Sequence, residues 1–205
     1  MTTLHHIEIR EMKLNLGSGP EKGTNGWINI DLEPGADLAV DLTKGIPFSD
    51  KSITQIYTSH FLEHLTYEQI NPILSECLRV LIPNGSLSIC VPDSEAFFQA
   101  YINNAYTSSQ LDNGSFLTTP TFLNHAGERV YAKALVNTGS KIDWINYIAY
   151  SAGEHKYMFD RENLINHLKQ TGFTDIKERE YCPELDKHYG KHASLFYVAS
   201  KNPNS

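Results

Sequence analysis

A short alternation of apolar residues, Met12, Leu14 and Leu16, runs into two glycines one residue apart, Gly17 and Gly19, and no other feature narrows the choice of fold as much. Alternation of this kind reads as a strand, and the glycines as a tight loop at its end. Without a Cβ, such a loop takes positive φ and lets a ligand approach the backbone. Gly26-Trp27-Ile28-Asn29-Ile30-Asp31 follows as a second strand ending on a carboxylate. In an open α/β sheet, a carboxylate at the tip of the second strand is where a ribose is commonly hydrogen-bonded. Together the two read as half of a nucleoside pocket, although Gly-x-Gly alone also occurs in ordinary turns.

The usual dinucleotide fingerprint needs a third glycine three residues after the second, and here that position is Lys22. Only Pro20 to Gly26 separates the glycine turn from the second strand, whereas a crossover with its helix takes a dozen residues or more. The first crossover must therefore shrink to a turn or a short helix.

Further along, Leu38 to Leu42 reads as a third strand carrying a second carboxylate, Asp41, and Ile53 to Tyr57 as a fourth that empties into Ser59-His60-Phe61-Leu62-Glu63-His64-Leu65. Ile70, Ile73, Leu74, Cys77, Leu78 and Leu81 form one apolar stripe at helical spacing. Asn71 with Pro72 at the first helical position is the expected start of that helix, while Thr66 and Gln69 would cap a short turn before it. Pro83-Asn84-Gly85 stops it, and Ser86 to Val91 is a fifth strand. From 94 to 159 the alternation of strand and helix is lost, and this stretch holds more than half of the aromatic residues. Helices are expected at Glu95 to Tyr106, Thr121 to Leu135 and Lys141 to Ser151, covering the open strand ends or forming a satellite core. Asp160 and Gly172 bracket a clean helix, Arg161 to Thr171, and Asp175 to Tyr181 and Ser194 to Ser200 make a final antiparallel pair.

With 24 acidic against 17 basic residues and a net charge of −7, the chain lacks the clustered cations that a nucleic acid polymer requires. Cys77, Cys90 and Cys182 are odd in number and scattered, so they suggest buried thiols and no disulfide framework. No signal-peptide core and no run of 18 apolar residues is present, which leads to the expectation of a cytoplasmic protein without membrane insertion.

By their order and spacing these elements resemble the class I methyltransferases that use S-adenosylmethionine. Leu14-Asn15-Leu16-Gly17-Ser18-Gly19 looks like the first motif of that family, Asp31 like its ribose-binding acid, and Asp41-Leu42 like the pair that receives the adenine. Leu81-Ile82-Pro83-Asn84-Gly85-Ser86-Leu87 is similar to the turn before its fifth strand, with Asn84 replacing a glycine. Gly153-Glu154-His155-Lys156-Tyr157 with Phe159-Asp160 is similar to a segment of a bacterial subgroup associated with polysaccharide and cell-envelope functions. The resemblance implies a Rossmann-like α/β fold, a seven-stranded mostly parallel sheet of order 3-2-1-4-5-7-6. It implies a single methyltransferase domain over 1–205, with 94–159 a helical insert and lid over the acceptor. S-adenosylmethionine is the expected cofactor, held by Leu16, Gly17, Ser18, Gly19, Asp31, Leu32, Asp41, Leu42 and Ser59, and the acceptor a small molecule or glycan.

Methyl transfer from a sulfonium mainly needs alignment, and a hydroxyl acceptor gains from a base. His155, beside Glu154 and close to the strand ends, is the first candidate base and His60 the second, though His60 could instead meet the cofactor through its backbone. His64 reads as orienting a neighbouring loop, and His125 lies in the insert. No metal site is expected: His60 and His64 are four apart, but the zinc-hydrolase spacing needs Glu directly after the first His, where Phe61 stands. Trp27, Tyr57 and Phe61 read as core. Lys187, His188, Lys191 and His192 read as a solvated loop, or as a contact for an acceptor's phosphate or carboxylate. Two other classes stay open: a binding protein of this fold without turnover, and a nicotinamide enzyme, disfavoured by the missing glycine. Oligomeric state is not legible.

Overall fold

In the computed structural model, residues 11–19, 26–103, 121–123, 129–131, 138, 140–186 and 194–204 are described. Strands β1 (Lys13–Leu16), β2 (Trp27–Asp31), β3 (Leu38–Ala39), β4 (Ile53–Ser59) and β5 (Leu81–Pro92) run parallel. Two strands of a detached ribbon, β6 (Thr121–Leu123) and β7 (Arg129–Tyr131), precede β8 (Thr174–Glu178) and β9 (Ser194–Ser200). The main sheet has the order β3-β2-β1-β4-β5-β9-β8, with β9 antiparallel to both neighbours. Numbering only the strands of this sheet gives 3-2-1-4-5-7-6, the expected topology.

Both faces of β1 are covered, because Leu14 and Leu16 are fully buried and Asn15 between them is buried too. A buried amide must be hydrogen-bonded. Asn15 Nδ2 donates to Asn29 Oδ1 on β2 (3.0 Å), and Asn29 Nδ2 to Asp37 Oδ2 (2.8 Å), so a polar ladder crosses the sheet to the loop before β3.

Helix α1 (Tyr67–Val80) begins one turn earlier than expected. Gln69 Oε1 accepts from Thr66 N (2.9 Å), which makes Thr66 the cap and leaves Pro72 inside the helix. Ile70, Ile73, Leu74, Cys77 and Val80 face the sheet. The chain enters β5 directly at Leu81, and Asn84, at φ +63°, lies within the irregular start of that strand. Helix α4 (Arg161–Thr171) has the expected bounds: Asp160 Oδ1 accepts from Asn163 N (2.7 Å), and Gly172 closes it at φ +98°. It packs on α1, where His167 Nδ1 lies 2.6 Å from Asn71 Oδ1.

Asp186, in the stretch after β8, is buried and held bidentately by Arg179 (2.6 Å to each oxygen), with Tyr57 of β4 and the Cys182 amide as further donors. All three cysteines are free thiols.

The insert departs from expectation. Helices α2 (Ser94–Ile102) and α3 (Ile142–Tyr150) form, and Ala96, Phe97, Ala100, Trp144 and Ile148 make a second core apart from the main one. The stretch 121–135, expected as a helix, instead contributes the antiparallel ribbon of β6 and β7, in keeping with the β-branched and aromatic residues Thr121, Phe122, Val130 and Tyr131. The third strand is likewise shorter than expected: it stops at Ala39, and Asp41 caps a 3-10 turn, Leu42–Lys44. Lys22, His125 and the Lys187, His188, Lys191 and His192 cluster lie outside the described residues. No described helix is long and apolar enough to cross a membrane.

Candidate functional site

Parallel strands of an open sheet end on the same side, so the loops after β1, β2, β3 and β4 share one edge. There they enclose a cleft of about 730 Å³, within the range of small-molecule sites. Gly17 and Gly19 both have φ +66°. Gly17 N donates to Ile30 O (2.9 Å) and Gly19 N to Asp31 Oδ2 (2.8 Å), tying the glycine turn to β2. A Cβ at Gly17 would lie 2.4 Å from the Phe61 ring, so both backbone conformation and space require glycine. The other Asp31 oxygen accepts from Glu33 N (3.0 Å). An ionised carboxylate has about four lone-pair positions, so Asp31 can still receive two ribose hydroxyls. Asp41 Oδ1 accepts from Thr43 N and Oγ1 (3.0 and 2.6 Å), and these bonds hold its carboxyl below the usual carboxylate range.

Of the expected donor-binding residues, Gly17, Gly19, Asp31, Leu32, Asp41, Leu42 and Ser59 line this cleft. Leu16 is buried in β1 and Ser18 in the turn, so both support it from below. Phe61, read as core, packs on the core and lines the cleft as well. Glu33, Thr43 and Gln69 were not anticipated. Glu33 and Thr43 each stand two residues after an expected acid, where loop geometry decides exposure, and Gln69 doubles as part of the α1 cap.

His60 lines the cleft at φ +51°, a conformation unusual outside glycine that marks stored strain. Its Nδ1 stands 3.2 Å from Glu63 Oε1 and its Nε2 3.2 Å from Ser194 Oγ. Burial works against the charged ring, but the neighbouring Cys90 sulfur and the Glu63 carboxylate together outweigh it and push the His60 pKa up to about 10. Both ring nitrogens of His60, the second candidate base, thus already face partners, Glu63 on one side and Ser194 on the other.

His64 also lines the cleft, with Gly153, Glu154 and Lys156. A carbonyl only accepts, so His64 Nδ1 donates to Glu154 O (3.1 Å), orienting the neighbouring segment as expected. Lys156 N and Tyr157 N add bonds to Glu63 O (2.8 and 3.3 Å). His155 does not line the cleft; it meets His64 edge-on, ring centroids 5.2 Å apart, and its Nδ1 donates to Ile148 O (2.9 Å). In both rings the lone pair is thereby left on Nε2.

The comparisons with known proteins bear on this geometry. Residues 28–89 match a family model described as a methyltransferase domain. An S-adenosylmethionine-dependent methyltransferase from Methanosarcina mazei superimposes over 96% of this chain and 94% of its own, at 14% identity and a TM-score of 0.54. The fold is that of the S-adenosylmethionine-dependent methyltransferases. A methyltransferase of that class from Mesorhizobium loti gives 15% identity over 94% of this chain and 91% of its own, TM-score 0.53. The 1,6-didemethyltoxoflavin-N1-methyltransferase of Burkholderia thailandensis, with bound S-adenosylhomocysteine, gives 12% over 93% and 71%, TM-score 0.50. No curated protein sequence matches the chain. S-adenosylmethionine fits the residues present: a glycine turn for close approach, a carboxylate at the second strand tip, and apolar Leu32, Val40 and Leu42 beside Asp41 for the adenine faces.

Proposed function

We propose that this chain transfers the methyl group of S-adenosylmethionine to an oxygen of a small-molecule or sugar-containing acceptor. The observation that carries the reading is the convergence of Gly17, Gly19, Asp31 and Asp41 on one cleft that His64, Gly153, Glu154 and Lys156 also line. The bound donor supplies a methyl already attached to a good leaving group. The chain's part is then to bind and align, and alignment alone is worth about 7 to 11 kcal/mol in favourable cases. Asp31 holds the ribose hydroxyls, Leu32 and Leu42 flank the base, and the backbone of the glycine turn meets the remainder. His64, which lines the cleft, would meet the acceptor's hydroxyl, with His155 and Glu63 beside it as the groups that would support its activation. The insert 94–159 would act as the lid that excludes water over the acceptor. The segment 153–160 and its likeness to enzymes of polysaccharide and envelope functions favour a glycan-type acceptor.

Isothermal titration with S-adenosylmethionine and S-adenosylhomocysteine tests the donor half. Binding that weakens at least tenfold in Asp31→Ala is expected. No binding by the native chain, or equal binding by Asp31→Ala, overturns the reading. Release of S-adenosylhomocysteine in the presence of hydroxylated small molecules and nucleotide-activated sugars tests turnover. Donor binding without release from any of them would make the chain a non-catalytic binder of the same fold.

A further inference from the structure

Glu63 is the most unusual side chain near the cleft. It is 2% exposed, and among the described residues neither of its oxygens accepts a hydrogen bond; an ion pair to His60 Nδ1 at 3.2 Å engages Oε1 alone. A buried carboxylate is costly unless a cation compensates it, and the His60 ring reaches only one of its two oxygens. His64 and His155 stand beside it, and one carboxylate oxygen and one nitrogen of each ring lie within 4.8 Å of one another.

The two rings are prepared in the manner of metal ligands. Each gives its Nδ1 hydrogen to a backbone carbonyl, Glu154 O for His64 and Ile148 O for His155, which fixes the tautomer and leaves Nε2 as the electron-pair donor. Their carriers are fixed as well: Glu63 O receives both the Lys156 and the Tyr157 amides, so the strand-β4 turn and the segment bearing His155 are bound to each other at this point.

We propose that Glu63, His64 and His155 form a binding site for a divalent transition-metal ion of the zinc type at the wall of the cleft. Ligands at about 2.0–2.1 Å around a tetrahedral ion are roughly 3.4 Å apart, so small side-chain rotations bring the three onto one ion. A carboxylate has two oxygens, and the ion pair with His60 leaves one for the metal. Two imidazoles and a carboxylate complete three positions of four, which is the pattern of a catalytic zinc site with one position open. His64 belongs both to this set and to the cleft lining, so the open position is available to an acceptor oxygen. There the ion lowers the pKa of the bound hydroxyl. Its proton passes to solvent, the oxygen–carbon bond forms as the sulfur–methyl bond breaks, and the donor leaves as S-adenosylhomocysteine. This catalytic part rests on the methyl-transfer reading of the cleft; the binding of the ion does not.

The full chain, stripped with a chelator, is titrated with Zn²⁺ by calorimetry and with Co²⁺ by visible absorption. One equivalent of bound ion, with the absorption bands of a four-coordinate cobalt site, is expected, and His64→Ala and His155→Ala should each weaken it by about tenfold or more. Glu63→Gln is the third variant, with thermal unfolding of all three to show that they fold. No stoichiometric binding, or binding equally strong in both histidine variants, overturns the proposal. Titration of S-adenosylhomocysteine into the metal-free protein is read in parallel, so that loss of the ion site and loss of the donor site are separate results.

Discussion

The glycine-turn wall of the cleft and the His64 wall are held by different kinds of contact. On the first, Gly17 N to Ile30 O and Gly19 N to Asp31 are bonds between adjacent strand ends, and the sheet's parallel register brings Asp31 and Ser59 to the same edge. On the second, Glu154 and His64 are 90 residues apart in sequence, and the segment 153–157 is anchored through a few bonds to Glu63 and His64. A net hydrogen bond contributes only about 0.5–1.5 kcal/mol, so the second wall is the more easily displaced. The difference teaches that the two walls are held independently, so damage to either should leave the other largely intact.

Perturbations that test this separation can be ordered by size. The largest acts on neither wall. Asp186→Ala removes a buried carboxylate and leaves the half-buried Arg179 with only Ser88 Oγ and Glu180 O as partners, and should cost about 3 kcal/mol in urea unfolding, setting the scale of a global effect. Next, Gly17→Ala drives a Cβ into Phe61 from a left-handed backbone; a displacement of the turn by about 1 Å would lower S-adenosylhomocysteine affinity roughly 10²-fold, read by calorimetry. Asp31→Asn weakens charge-assisted bonds to Gly19 N and Glu33 N, and donor affinity should fall by about 1.5–3 kcal/mol with little change in melting temperature. His155→Ala removes the tie to Ile148 O, about 1 kcal/mol of stability, together with the edge contact to His64, and should change donor affinity far less than Asp31→Asn does; an equal loss would break the comparison.

The smallest effect is in pH. His167 sits between Asn71 Oδ1 and the Tyr157 hydroxyl, and burial holds its pKa below the ordinary 6.5. The folded state therefore favours the neutral ring. Its contribution is complete above pH 6.5 and is lost as pH falls toward the lower folded value. The melting temperature should decline on acidification below 6.5, and less steeply in His167→Gln.

Much of the first wall was legible from local pattern. Alternating Leu14 and Leu16, two glycines at the strand end and a carboxylate closing the next strand are properties of adjacent residues, and the caps of α4 are too. Where local signals competed, packing chose between them: α1 took Thr66 and Gln69 as its start and accommodated Pro72, since an earlier start places Ile70 in the core. The ribbon at 121–131 shows the same ambiguity, because a short apolar run does not by itself distinguish helix from strand.

Sequence alone thus determined the strands on the glycine-turn side, the carboxylates at their ends and the turn itself, because period and backbone conformation are set by neighbours along the chain, while the sheet order was implied by the family resemblance. Only the tertiary structure decided that Glu63, His64 and His155 meet, that His60 stands between Glu63 and Ser194, and that Phe61 closes against Gly17. Those facts depend on which distant groups share a buried volume, and the cost of burying a carboxylate is set by its neighbours in space, which its neighbours in sequence do not reveal.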